Sequence, residues 1–143
     1  MSRSALRPRS AYRRWMPLST RWHDNDVYGH VNNTVYYGWF DTAVNHFLLE
    51  AGLLDVTGGD PIGLVVETGC RYAAPLAFPE QVEIGLSVAR IGTSSVTYHL
   101  GAFARDSQTA AAECHFTHVY VGRESRRPVP LPPEWRTKLV GLT

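Results

Sequence analysis

Segment 23–33, HDNDVYGHVNN, holds the densest group of polar side chains in the chain. It includes two carboxylates, Asp24 and Asp26, and a histidine, His30, that follows Gly29. A carboxylate can attack an acyl carbon or deprotonate a water molecule, and histidine transfers protons near neutral pH. Asp, Asn and Gly are typical of loops, and Gly29 lets the backbone turn sharply and approach a ligand closely. This loop therefore has the residues needed to hydrolyse an activated acyl group.

A long helix is predicted directly after this loop. Between residues 34 and 51 apolar residues recur at spacings of three and four: Tyr36, Phe40, Val44, Phe47 and Ala51. Asn32 or Asn33 can cap its start, and Gly52 can end it. The first N–H groups of a helix lack partners within it, and the helix dipole places partial positive charge there. A carbonyl oxygen that gains negative charge would be stabilised at this position.

The remaining pattern predicts strands. A short strand is expected at 17–22, a mostly apolar run covers 62–73, and three later segments alternate between apolar and polar residues: EQVEIGLSVARI, SSVTYHLGAFAR and TAAAECHFTHVYV. We expect an α+β fold in which the last four strands form an antiparallel meander. The sheet of about five strands would wrap around the one long central helix, which is the only element able to cover its apolar face. A short helix is expected after Pro133.

Length and charge limit the other functions. A chain of 143 residues is typical of one domain, expected at 17–143. Residues 1–16 carry five arginines and no acid, so we expect a disordered basic arm, with steering of a polyanionic ligand or targeting as alternatives. The formal net charge of +1 and the lack of a long apolar run argue against nucleic acid and membrane partners.

Cysteine and histidine spacing argues against a disulfide framework and against a metal site. The two cysteines, Cys70 and Cys114, are 44 residues apart and have the setting of small core residues. With no export signal, a reducing cytoplasm is the expected compartment. His23, Asp24, Asp26 and His30 match no known zinc spacing, so neither a metal nor an organic cofactor is expected.

The segment RWHDNDVYGHVNNTVYYGWFDTAVNHFL resembles the signature of hotdog-fold acyl-CoA thioesterases of the 4-hydroxybenzoyl-CoA thioesterase type. The shared elements are the Asp-x-Asp pair, Gly-His, Val-Asn-Asn and an aromatic-rich helix, and the later strands and the RRPVPLPPEW segment match as well. The resemblance implies that Asp26 is the catalytic carboxylate, as nucleophile or as general base. It also implies that a backbone N–H near Asn33 polarises the thioester carbonyl. Some relatives have an apolar residue in place of His30, which leaves its role open between pocket wall and participant.

Residue types suggest the substrate contacts, and the resemblance implies the assembly. Gly29, Val31 and Tyr36 are candidate substrate-binding residues, and Arg126 and Arg127 are candidates for the phosphates of coenzyme A, since arginine suits phosphate geometry. The substrate would be an acyl-CoA or an acyl-carrier-protein thioester, with the acyl group left open. Members of this family pair as dimers or tetramers. The alternatives are a non-catalytic hotdog module that binds acyl-CoA, and a hotdog dehydratase or hydratase.

Overall fold

The computed structural model describes residues 5–143, and residues 1–4 of the predicted arm lie outside the described residues. Its elements are β1 (Arg14–Ser19), α1 (Asn33–Glu50), β2 (Ile62–Tyr72), β3 (Gln81–Ile91), β4 (Ser95–Ala104), β5 (Ala112–Val121) and α2 (Pro133–Val140). Short 3-10 helices lie at Arg9–Ala11 and Trp22–Asp24. The α+β prediction is confirmed, and the first strand begins three residues earlier than predicted. Among the described residues no helix is both long and apolar enough to cross a membrane.

All strands pair antiparallel in one sheet with the order β1-β3-β4-β5-β2. The prediction of a four-strand meander was wrong for β2. Only β3, β4 and β5 are joined as neighbours in sequence, whereas β2 pairs with β5, with Ile62 opposite Val121 and Tyr72 opposite Ala112. Alternation of apolar residues identifies strands but not their neighbours, so the crossover from β2 to β3 was not predictable from it. As a result β2 forms one edge of the sheet and the shorter β1 forms the other.

Helix α1 packs against one face of this sheet and supplies much of the core. Its residues Phe40 and Val44 are fully buried, as their spacing predicted. The predicted apolar faces of β3, β4 and β5 are buried as well: Val82, Ile84, Leu86, Val88, Val96, Tyr98, Leu100, Ala102, Cys114, Phe116, His118 and Tyr120. The long helix and the sheet therefore form two layers around one core, and the start of α1 lies at the end of the sheet where β2 finishes.

Where the sequence predicted a disordered arm over 1–16, the structure places a 3-10 helix at Arg9–Ala11 and the start of β1 at Arg14 against the sheet. Tyr12 is only 4% exposed, and its ring packs edge-on against Trp15 and Phe103. It lies on Gly85 and Gly101, where an added Cβ would come within 2.7 Å and 2.6 Å of Tyr12 atoms. The two glycines face each other in β3 and β4, and because neither has a side chain, the Tyr12 ring can lie directly on the backbone. Burial of an aromatic ring holds this segment on the sheet, a contact that the arginine-rich composition did not indicate.

Candidate active site

The loop before α1 contains a tight turn that carries Asp26. The Asp26 N–H donates to the His30 carbonyl at 2.9 Å, and the Gly29 N–H donates to the Asp26 carbonyl at 3.0 Å. Gly29 has φ of +81°, a conformation that glycine adopts without strain. No atom lies within 4 Å of where a Gly29 Cβ would stand, so glycine is needed for the turn and not for space. The structure thus has the sharp turn that the sequence predicted at Gly29.

The Asp26 carboxylate is half-buried and accepts two hydrogen bonds. Its Oδ1 accepts the Tyr28 N–H at 2.9 Å, and its Oδ2 lies 3.5 Å from the Asn32 amide nitrogen. Two ionised oxygens offer about four acceptor positions, so this carboxylate keeps acceptor capacity for a substrate or a water molecule. The geometry suits a general base or a nucleophile.

Asp24, two residues earlier, has a different environment. It is 1% exposed and accepts the Arg21 N–H at 2.7 Å and the Arg21 guanidinium at 2.8 Å. Its carbonyl accepts the Asn32 N–H at 2.9 Å. These bonds satisfy Asp24 within the loop, so its role is to fix the path of the chain, as local side-chain bonding by Asp predicts.

The start of α1 presents a backbone donor. Asn32 is the N-cap, and its Oδ1 accepts the Thr34 N–H at 3.0 Å. The Val31 N–H donates to the Leu76 carbonyl at 2.7 Å. Among residues 5–143, the Asn33 N–H has no hydrogen-bond partner. An unpaired N–H at the positive end of a helix is suited to bind a carbonyl oxygen that becomes negative.

One open cleft of about 390 Å³ brings the predicted residues together. It is lined by five of the sequence candidates: Asp26, His30, Val31, Asn33 and Tyr36. Of these lining residues, His30 is exposed whereas Val31 is buried. The cleft therefore combines a carboxylate, an imidazole and a helix N-terminus within one chain.

Sequence reasoning missed the contribution of β2. The Tyr72 hydroxyl donates to the Asn33 carbonyl at 2.8 Å, and its ring meets Tyr36 edge-on at 5.2 Å between centroids. Burial raises the pKa of Tyr72, and burial likewise raises the pKa of Tyr36 to about 12, so both hydroxyls stay protonated at neutral pH. Pro75 completes this side of the cleft. The sequence does show Tyr72 at the end of a predicted strand and close to Pro75. Only the order of the strands in the sheet, however, places Tyr72 beside α1.

Arg126 and Arg127 do not line this cleft. They follow β5 in the turn after Val121, and the Val121 end pairs with Ile62 at the opposite end of β2 from Tyr72. Within a single chain they are therefore far from Asp26. Among residues 5–143 no group of three or more His, Cys, Asp or Glu side chains is placed to hold a metal ion.

Comparison with known proteins identifies the family. The profile of the thioesterase-like superfamily matches residues 20–139, which is most of the chain. The chain belongs to this superfamily. The structure is similar to that of the PA5185 protein of Pseudomonas aeruginosa, with 54% identity, 95% of each chain covered and a TM-score of 0.90. The predicted hotdog fold is thereby confirmed for this thioesterase-like chain.

More distant solved structures share the fold. A 1,4-dihydroxy-2-naphthoyl-CoA thioesterase from Synechocystis is 18% identical, with 88% of this chain and 94% of that chain covered and a TM-score of 0.80. The BH1999 gentisyl-coenzyme A thioesterase is 24% identical, with coverages of 89% and 99% and a TM-score of 0.76. At these identities the similarity shows the common architecture of the thioesterase-like chain and these enzymes.

Proposed function

We propose that this chain is an acyl-CoA thioesterase that hydrolyses a thioester to a carboxylic acid and free coenzyme A. The observation that carries the proposal is the unpaired Asn33 N–H in the same cleft as the Asp26 carboxylate. Thioester hydrolysis needs a donor for the carbonyl oxygen and a base or nucleophile beside the carbonyl carbon. Membership of the thioesterase-like superfamily supports the same reaction.

In the proposed mechanism the thioester carbonyl accepts the Asn33 N–H, which stabilises negative charge on the oxygen as the carbon is attacked. Asp26 either attacks the carbon itself, giving a mixed anhydride that water then hydrolyses, or removes a proton from the attacking water. Either route expels the coenzyme A thiolate. No step requires a metal or an organic cofactor.

We propose an aromatic acyl group as the first substrate class, in keeping with the resemblance to 4-hydroxybenzoyl-CoA thioesterases. Three tyrosines, Tyr28, Tyr36 and Tyr72, line the cleft and offer edges and faces to an aromatic ring. The two enzymes named above act on aryl-CoA thioesters, 1,4-dihydroxy-2-naphthoyl-CoA and gentisyl-CoA. An acyl-carrier-protein thioester presents the same carbonyl and belongs in the same assay.

We further propose that two copies of the chain pair through β2. This strand has 11 residues and one unpaired side, and Leu64, Val65 and Val66 are 40%, 49% and 59% exposed. A long apolar edge strand is a template for pairing with another chain. Antiparallel pairing of two β2 strands would set the Ile62 end of one copy beside the Tyr72 end of the other. The Arg126 and Arg127 turn of the second copy would then approach the cleft, where arginine can bind the phosphates of coenzyme A.

A thiol-release assay over aryl, short, branched and long acyl-CoAs, and over acyl-carrier-protein thioesters, tests the reaction. We expect turnover to be fastest with an aryl-CoA. Binding of acyl-CoA by calorimetry without thiol release from any substrate would instead support a non-catalytic binding module. Sedimentation at micromolar concentration tests pairing, and a monomer there would remove the proposed role of Arg126 and Arg127.

A further inference from the structure

The Asn32 side chain connects the Asp26 carboxylate to the first turn of α1. Its Oδ1 accepts the Thr34 N–H at 3.0 Å and the Thr34 hydroxyl at 2.7 Å, which fixes the first turn of α1 next to Asn33. Because this oxygen must accept, the amide nitrogen is the atom left for the Asp26 carboxylate, and it lies 3.5 Å from Oδ2. Such bonds are commonly long in ligand-free sites and shorten in the reacting complex.

The turn that carries Asp26 is held by backbone hydrogen bonds, but its side chains are little packed. Its two central residues, Val27 and Tyr28, are 94% and 82% exposed, so packing contributes little to the position of the turn. The carboxylate is held by the Tyr28 N–H on one oxygen and by Asn32 on the other. Of these two donors, only Asn32 belongs to the helix start that holds the Asn33 N–H.

We propose that Asn32 is a positioning residue that fixes the Asp26 carboxylate at a set distance from the Asn33 N–H. This inference rests on the proposed function. It goes beyond capping, because a cap needs only the oxygen of the side chain, whereas positioning needs the nitrogen. A displacement of a catalytic group by about 1 Å can lower a rate by about 10²-fold, so the restraint has kinetic consequences.

Replacement of Asn32 by aspartate separates the two roles. Asn and Asp cap helices about equally well, so Asn32→Asp keeps the cap, and its helix content should equal that of the wild type. It loses the amide donor and places a second carboxylate against Asp26. Like charges at this distance favour proton binding to the pair. The other titratable groups that line the cleft are His30 and the three tyrosines, and Asn32→Asp leaves them unchanged.

The experiment measures kcat and KM against pH with the acyl-CoA that the wild type hydrolyses fastest. For Asn32→Asp we expect a plateau kcat about tenfold lower, the effect of one lost charge-assisted hydrogen bond, with KM little changed. The pH at which kcat falls to half of its plateau on the acid side should rise by about one unit, because the pair of carboxylates binds a proton more easily. Asn32→Ser keeps a capping oxygen without the amide or a new charge, so kcat should fall without that rise.

Asn45→Asp is the matched control. Asn45 is half-buried on the same helix, and its amide donates to Asp41 Oδ1 at 3.1 Å, so the substitution also sets a carboxylate beside a carboxylate. It should leave the kcat profile unchanged. A wild-type kcat and a wild-type half-plateau pH on the acid side in Asn32→Asp would overturn the inference while leaving the proposed function intact.

A second measurement tests the contact between Asn32 and Asp26 without relying on turnover. If the wild type releases thiol from no substrate, the proposed function fails, and the carboxyl titration of Asp26 followed by carbon NMR still tests the contact. The titration midpoint should be about one pH unit higher in Asn32→Asp than in the wild type. Equal midpoints in the two proteins would exclude the contact between Asn32 and Asp26.

Discussion

Two concave regions of this chain differ in how their polar groups are satisfied. The cleft at the start of α1 measures about 390 Å³, and a groove on the outer face of the sheet measures about 540 Å³. The groove contains the stronger charges, with Arg7 and Arg71 on either side of Glu113. Glu113 is 5% exposed and accepts the Arg7 N–H at 2.9 Å and the Arg71 guanidinium at 3.0 Å. The Glu113 carboxylate therefore links the N-terminal segment and β2 to β5.

The cleft has fewer charged side chains, but its backbone donor and its carboxylate remain free to bind a ligand. The Asn33 N–H is unpaired among the described residues, and the Asp26 carboxylate keeps acceptor positions. Asn33 is exposed and is the first residue of α1, so its N–H has no partner within the helix and is open to a ligand or to water. The groove thus has charged groups bonded to one another, whereas the cleft presents a backbone donor and a carboxylate acceptor at its opening. Variants in the cleft should lower turnover, and variants in the groove should lower stability.

The largest effect is expected from Asp26→Asn. Asparagine keeps the size of the side chain but can neither attack a thioester nor accept a proton at neutral pH. We expect kcat to fall by about 10²–10⁴-fold, the range for general acid–base catalysis, with KM and the melting temperature little changed. Asp24→Asn is the control, because it removes charge from a carboxylate satisfied within the loop and should lower stability more than turnover. Near-wild-type turnover of Asp26→Asn on the best substrate would mean that the proposed mechanism is wrong.

Asn33→Pro removes the proposed donor itself. Asn33 is the first residue of α1, where proline is well tolerated, and Asn32 has φ of −61° and ψ of 140°, the extended conformation that a residue before proline prefers. The variant should fold, and its kcat should fall by about 10²–10³-fold if this one group stabilises the oxyanion. Asn33→Ala keeps the N–H and should retain turnover. Equal kcat in the two variants would place the polarising donor elsewhere.

Glu113→Gln is the corresponding test in the outer groove. Burial acts to raise the pKa of Glu113, but hydrogen bonds from the Arg7 N–H and from Arg71 outweigh it and hold the pKa below its usual value. The stabilisation is therefore present above the unfolded-state pKa, about 4.3, and is lost as pH falls through the lower folded-state value. At neutral pH we expect a loss of about 2 kcal/mol in the free energy of unfolding and an unchanged kcat.

Denaturant titrations at several pH values check this prediction. The difference in unfolding free energy between the wild type and Glu113→Gln should be largest at neutral pH and shrink below about pH 4.3, where the unfolded-state carboxyl binds a proton. A constant difference across pH would show that the lost stability does not come from the ionised Glu113. A lower kcat in the folded variant would link the groove to the reaction.

Much of the fold was predictable because it depends on local patterns. The spacing of Phe40 and Val44 predicts α1, and the alternation from Val82 to Val88 predicts β3. The partner of β2 was not predictable, because pairing depends on contacts between residues that are distant in sequence. The packing of Tyr12 on the sheet was missed for the same reason, since the two glycines that it contacts are about 70 and 90 residues further along the chain.

The candidate site likewise contains residues that are close in sequence, which were predictable, and one that is distant in sequence, which was not. Asp26, Gly29 and Asn33 lie within eight residues of one another, so turn and helix rules could place them together. Tyr72 reaches the cleft only because β2 is the edge strand beside β5. The N-cap was left open between Asn32 and Asn33, and Asn32 has that role, which leaves the Asn33 N–H available.

The smallest effect is expected where the two regions meet on one strand. Arg71 and Tyr72 are neighbours on β2, and successive side chains of a strand point to opposite faces. Arg71 bonds Glu113 in the groove, whereas the Tyr72 hydroxyl bonds the Asn33 carbonyl at the cleft. Tyr72→Phe removes one hydrogen bond of about 1 kcal/mol from the residue that holds the oxyanion donor. We expect kcat to fall about fivefold with KM unchanged, because the ring and its contact with Tyr36 remain.

Arg71→Gln is the matched change on the opposite face, and it should lower the melting temperature while kcat of the folded protein stays at the wild-type value. Steady-state kinetics and thermal unfolding of the two variants separate the two faces at adjacent positions. If Tyr72→Phe lost only stability, its bond would serve to hold β2 against α1 and would not align Asn33. If Arg71→Gln lost turnover as well, β2 would transmit changes from the groove to the cleft, and the division between a structural face and a reactive face would fail at this strand.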